Sequence, residues 1–194
     1  MPRPVARERR DALLDAALDV VVESGMRGLT HRAVDRAADV GEGTTSGYFR
    51  TRRALQLALA HRIAERISGD VDAMGAELLS HEPTEDEIRS RVVDLFARWL
   101  ASPLLVAKVE LTLEATRDPE LAEIVTTDRA RVVGIVENLL TTCPRGERHQ
   151  RAATLMAALD GILIEGMLRP EPERSAYVAD AVALTMAGLG EPSR

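Results

Sequence analysis

In segment after segment of this chain the apolar residues recur every three or four positions, and no stretch alternates convincingly with a period of two. A period near 3.6 places side chains on one face of a helix, whereas a half-buried strand needs a period of two. Leu14, Ala17, Leu18 and Val21 fall on one such face, with Arg9, Arg10, Asp15 and Asp19 largely off it. A longer stripe of Leu55, Ala58, Ile63, Ile67, Val71 and Met74 continues to about Leu79. Aromatic residues make up only 3% of the chain, so the core has to be built from Ala, Leu, Val, Ile and Met. Such cores favour close-packed helices over sheets. The expected fold class is all-α.

Proline, glycine and capping residues divide the pattern into about nine helices. The first spans Pro4 to Ser24, closed by Gly25, with Gly28 keeping the connection tight. Thr30 is the expected N-cap of a short helix from His31 to Ala38. Asp39-Val40-Gly41 makes a turn into a third, very short helix, Gly43 to Phe49, and Thr51 begins a long fourth one. After the break at residues 81–84, Thr84 and Glu87 match a capping box. Further helices are expected at about 84–101, 103–116, 118–141, 146–168 and 173–189, punctuated by Pro103, Asp118-Pro119, Pro144-Arg145-Gly146 and Pro170-Glu171-Pro172.

Several function classes are disfavoured. The one cysteine, Cys143, can form neither an internal disulfide nor a cysteine-based zinc site, and it suits a reducing cytoplasm. No leading segment reads as a signal peptide, and apolar runs fall short of the roughly 20 residues a membrane span needs. The expectation is a soluble protein with no membrane partner. His31, His61, His81 and His149 make no metal-ligand spacing with one another, and no phosphate loop or nucleophile elbow is present. No catalytic residue, metal or cofactor is therefore expected. The net charge of −6 is unevenly spread: residues 1–66 carry 12 arginines against 9 acids, while the remainder is strongly acidic. A positive head on an acidic body suits a protein that meets phosphates at one end.

Two short helices joined by a tight turn are what a helix-turn-helix requires. Val34, Ala37, Val40 and Phe49 are the apolar positions expected to pack the pair against the first helix. The second of the pair then offers Thr44, Thr45, Ser46 and Tyr48, flanked by Arg50, Arg52 and Arg53. Hydroxyls can meet base edges or thymine methyls, and hydroxyls and arginines suit phosphate oxygens. Gly43 and Gly47 weaken this helix by roughly 1 kcal/mol each relative to Ala. They either permit close backbone approach to DNA or are turn glycines at the margins of a loose helix. A helix-turn-helix can also bind protein, and that alternative stays open at this point.

The stretch Leu29 to Leu55, LTHRAVDRAADVGEGTTSGYFRTRRAL, resembles the N-terminal region of the TetR family of transcriptional regulators, as does the preceding VVESGMRGLT. The resemblance is specific from about Arg7 to Ile63. It implies a DNA-binding head at residues 1–50 and a helical effector-binding and dimerising body at residues 51–194. It implies that Thr30 caps its helix and contacts a phosphate, with His31 and Arg32 near the DNA backbone. Gly43, Thr44, Thr45 and Ser46 would face the major groove, Tyr48 and Arg50 would lie against phosphates, and Arg52 would replace a phosphate-binding lysine.

Departures from the family pattern fall at the turn, Ala38-Asp39-Val40-Gly41 in place of Ala-Gly-Val-Ser, where Asp39 tolerates a left-handed conformation less readily than Gly and Gly41 is a weaker N-cap than Ser. Ser46 replaces a frequent tyrosine. In the body, the resemblance implies a dimer bundle formed by residues 148–168 and 173–189. Leu155, Met156, Leu159, Ile162, Ile164 and Met167 give the first of these helices wide apolar coverage, which either a dimer face or a buried central helix would need. Phe96, Trp99 and Lys108, with Glu110 and Glu114 nearby, are either effector-pocket residues or ordinary core and surface positions. The implied partners are a palindromic double-stranded DNA operator, a second copy of the chain and an unknown small-molecule effector.

Overall fold

The computed structural model describes residues 6–140 and 145–190. Pro4, Cys143 and Pro144 lie outside the described residues. Among the described residues there are nine helices and no strand: α1 (Ala6–Gly28), α2 (His31–Ala37), α3 (Thr44–Tyr48), α4 (Arg52–Leu79), α5 (Glu85–Leu100), α6 (Leu104–Ala115), α7 (Pro119–Leu139), α8 (Arg145–Met167) and α9 (Glu173–Gly190). The bounds follow the local chemistry. Helical geometry in α1 is interrupted at Gly25, whose φ of 65° is one that glycine adopts freely. Thr30 caps α2, its hydroxyl accepting from the Ala33 N–H at 3.2 Å. Thr84 caps α5 by accepting from the Glu87 N–H, but Glu87 turns its carboxylate to His81 at 3.0 Å, so the box is only half made. Asp118 accepts from the Glu120 and Leu121 N–H groups at the start of α7, with Pro119 at the first helical position, where no N–H is missed.

The chain forms two compact units, residues 1–66 with 103–127, and residues 67–102 with 128–194. These packing units differ from the functional division expected at residue 50, because α6 returns to pack on α1. The first unit has a core of Leu13, Leu14, Ala17, Leu18 and Val21 from α1, with Leu29, Val34, Phe49, Leu55, Leu59 and Ile63, all buried. Burying each such leucine favours folding by roughly 1.5–3 kcal/mol. The carboxylate of Glu110 on α6 accepts from the Met26 N–H at 3.4 Å, beside the break at Gly25. Glu110 thus braces α1.

In the second unit α8, α9 and α5 pack on one another. Gly166 of α8 is where α9 comes closest, since a Cβ there would lie 3.3 Å from Val178 Cγ2. The later part of α4 is tied to α7 and α5. Arg131 pairs with Asp72 and reaches Ser68 at 3.3 Å, and the Trp99 indole donates to Asp70 at 2.7 Å. Gly75 lies so close to Ile135 that a Cβ would meet its Cγ2 at 2.7 Å.

Candidate nucleic-acid interface

The short α3 cannot stand alone: it has five residues, a glycine at its N-cap with φ of 92°, and no cap from its own side chains. Its missing acceptor comes from α2. Asp35, only 3% exposed, accepts from the Gly43 N–H at 2.8 Å through Oδ2. Its Oδ1 accepts from the Thr45 N–H at 2.7 Å and from the Thr45 hydroxyl at 2.5 Å. Burial pushes the Asp35 carboxyl up, but the hydrogen bonds from Thr45 and Gly43, helped by nearby His31, outweigh it and hold the group below its ordinary value. A buried charge with three donors thus fixes α3 on α2.

Asp35 was missed in the sequence. The signal was there: a helix starting at Gly43 without a side-chain cap needs an acceptor from elsewhere, and an acid stands mid-way along α2. The cap role expected of Gly41 belongs to Gly43, while the Gly41 carbonyl accepts from the Thr44 N–H and hydroxyl at 3.1 and 2.6 Å. Asp39 takes φ of 49° in the turn, the left-handed conformation its position requires.

This clamp sorts the expected site residues. Thr45 is fully buried, so it braces α3 and its side chain is not on the outer face. Thr30, Gly43, Ser46, Tyr48 and Arg50 are exposed and Thr44 is half-exposed. Ser46 donates to the Gly43 carbonyl at 2.8 Å and keeps its lone pairs outward. Arg32 is exposed and pairs with Glu42 at 2.7 Å. His31 is half-buried, and its Nε2 donates to the Phe49 carbonyl at 2.6 Å, closing α2 onto the end of α3. Of the expected packing positions, Val34 and Phe49 are buried and Val40 is half-buried. Ala37 is exposed, at a cleft between α2 and α1 that Asp19, Val20 and Glu23 also line, and so does not pack in the core as expected.

The two arginines that open α4 are each tied to neighbouring groups of the fold, although Arg52 stays exposed and Arg53 half-exposed. Arg52 donates through Nε to the Leu29 carbonyl and through Nη2 to those of Met26 and Arg27, all at 2.9 Å. It thereby caps carbonyls at and just after the end of α1. Arg53 pairs with Asp118 and with Glu120 at 2.6 Å. Hydrogen bonding from Arg53 lowers the Asp118 carboxyl, and the same pair raises the guanidinium further. Arg50, like Arg52, is exposed at this edge.

In the second unit Leu155, Leu159 and Ile162 are buried within the chain itself and Met167 is half-buried. They pack α8 in its own core, as the buried-helix alternative has it. Of the apolar residues named for this helix Ile164 is 50% exposed, and outside that set Leu168 is 77% and Leu184 76% exposed. Phe96 and Trp99 are buried and stacked, with centroids 6.0 Å apart, while Lys108 is a half-buried residue of the first unit. No helix among the described residues is long and apolar enough to cross a membrane.

Comparison with known proteins agrees with this geometry. Residues 13–59 match the model of bacterial regulatory proteins of the tetR family, and residues 83–188, more than half of the chain, match the tetracyclin repressor-like C-terminal domain. The HTH-type transcriptional regulator BetI of Burkholderia mallei is 25% identical over 179 residues, covering 89% of each chain. A TetR-family regulator from Mesorhizobium loti shares the all-α fold, with a TM-score of 0.75 over 95% of this chain and 98% of that one at 18% identity. The multidrug binding protein EbrR, solved in complex with proflavin, is 28% identical with a TM-score of 0.57 over 91% of this chain and 99% of its own. With the helix-turn-helix clamped as described and both family models matched in order, the chain belongs to the TetR family of DNA-binding transcriptional regulators.

Proposed function

We propose that the chain is a ligand-responsive repressor that binds a palindromic DNA operator as a homodimer in the cytoplasm. Residues 1–50 read the DNA, and residues 51–194 sense an effector and dimerise. The observation that carries this reading is the outer face of α3. Asp35 buries Thr45 and leaves Thr44, Ser46 and Tyr48, with Arg50 and the start of α2, facing solvent. Hydroxyls and a guanidinium suit phosphates and base edges.

Dimerisation is supported by a stripe on α8. Thr154, Ala157, Gly161, Ile164 and Leu168 are all exposed at alternating spacings of three and four, and Leu184 is exposed on α9. That is the seam of a helix packed on other helices. An effector is supported by the relative solved with proflavin and by the aromatic pair Phe96 and Trp99. The effector releases DNA by binding the DNA-incompetent state more tightly, transmitted through α4, which runs unbroken from Arg52 to Leu79. Equal effector affinity for free and operator-bound protein would sink the release mechanism.

The test of DNA binding is fluorescence anisotropy with DNA from upstream of the chain's own gene, against excess random competitor and across a salt series. Retained binding that weakens steeply with salt is expected. Salt-insensitive binding to a protein partner, with no DNA bound, would favour the protein-interaction alternative.

A further inference from the structure

Gly47 has no reason within the fold to be glycine. It lies in the body of α3, and it is not among the glycines with positive φ, which are Gly25 and Gly43. A Cβ built on it meets nothing within 4 Å, and the residue is exposed. Glycine is, after proline, the least favourable residue in a helix interior, because it surrenders the most backbone freedom on folding. The cost falls on a helix of five residues that already leans on Asp35 for its first turn. Gly25 and Gly166 differ: the first has positive φ, and a Cβ on the second would press on Val178 and Leu100.

We propose that Gly47 is a DNA-contact residue, kept free of a side chain so that the backbone of α3 can approach the base edges of the major groove. The inference rests on the DNA-reading role of α3. It gives that helix a mode of readout, since no described residue of α3 carries the bidentate donors that read guanine or adenine. Thr44 and Ser46 have short reach, the Ser46 hydroxyl is turned back on Gly43 and the Thr44 hydroxyl on Gly41. Side chains that short touch bases only if the helix axis itself comes close. A methyl group at position 47 holds the helix away, and the loss falls on specific binding, while phosphate attraction through Arg50 is spared.

The test compares the full-length chain with Gly47→Ala and, as a control, Gly69→Ala, another exposed helical glycine whose Cβ would meet nothing. The probe is the duplex that the unaltered chain selects from a randomised pool. Both variants should melt no lower than the parent. Gly47→Ala should bind the selected duplex at least about tenfold more weakly, with its affinity for random duplex changed less than about threefold. Gly69→Ala should match the parent on both. Affinity of Gly47→Ala within threefold of the parent overturns the inference, and so does a lower melting temperature for that variant, which would mean the fold needs the glycine. Failure of the unaltered chain to select any duplex instead overturns the DNA-binding reading itself.

Discussion

At the scale of single residues, Asp35 and Asp39 carry the helix-turn-helix in opposite ways. Asp35 is a satisfied buried charge, and its replacement strands the donors of Gly43 and Thr45. Asp35→Asn should cost about 1–3 kcal/mol in denaturant unfolding, because an amide nitrogen would face one of those N–H groups. The pH dependence follows from a folded-state carboxyl held below its ordinary value. Its contribution is fully present above the unfolded value, near 3.9, and is lost as pH falls through the folded value. The stability gap between the parent and Asp35→Asn should therefore be flat near neutrality and narrow only in strong acid. A gap that closed between pH 5 and 7 would contradict this. Asp39 instead holds a left-handed backbone, with φ of 49°. Asp39→Gly should raise stability by up to about 1 kcal/mol, less the extra freedom glycine gives the unfolded chain, as equilibrium unfolding would show.

At the scale of elements, the arginines around α3 and α4 differ in their ties to the fold. Arg50 and Arg52 are both exposed, but Arg52 also donates to the carbonyls of Met26, Arg27 and Leu29. Arg52→Ala should lower stability by about 1–3 kcal/mol. It should change the slope of log affinity against log salt by well under one, while Arg50→Ala should reduce that slope by about 1 with little loss of stability. The reverse pattern would return Arg52 to the phosphates. The helices themselves were legible in the sequence, because apolar period, Thr30, Thr84, Pro119 and the breaks are local signals. What the periodicity did not carry was direction. Thr45 looks like a DNA ligand by residue type, and only its tertiary partner Asp35 turns it inward, while the carbonyls of Met26, Arg27 and Leu29 give the exposed Arg52 a structural role as well. Leu155, Leu159 and Ile162 are apolar on a helix with two apolar sides, and α9 and α5 cover one of those sides.

At the scale of the whole molecule, the proposed function requires two-fold assembly to turn one short helix into an operator reader, because the two half-sites of a palindromic operator lie about 34–36 Å apart. Leu168→Glu with Leu184→Glu should yield a folded monomer by sedimentation, because both side chains are exposed and their loss leaves the core intact. Leu159→Ala should instead lose about 2–5 kcal/mol of stability, as buried leucines do. An unchanged dimer in the double variant would place the interface elsewhere. The account as a whole stands on sequence-specific recognition by a symmetric pair of α3 helices. The measurement that reaches this most directly is sequencing of genomic fragments captured by the purified chain at physiological salt. The account predicts a shared inverted repeat whose half-sites are separated by one helical turn or a multiple of it. Fragments recovered without any common repeat, in proportion to their length alone, would contradict it.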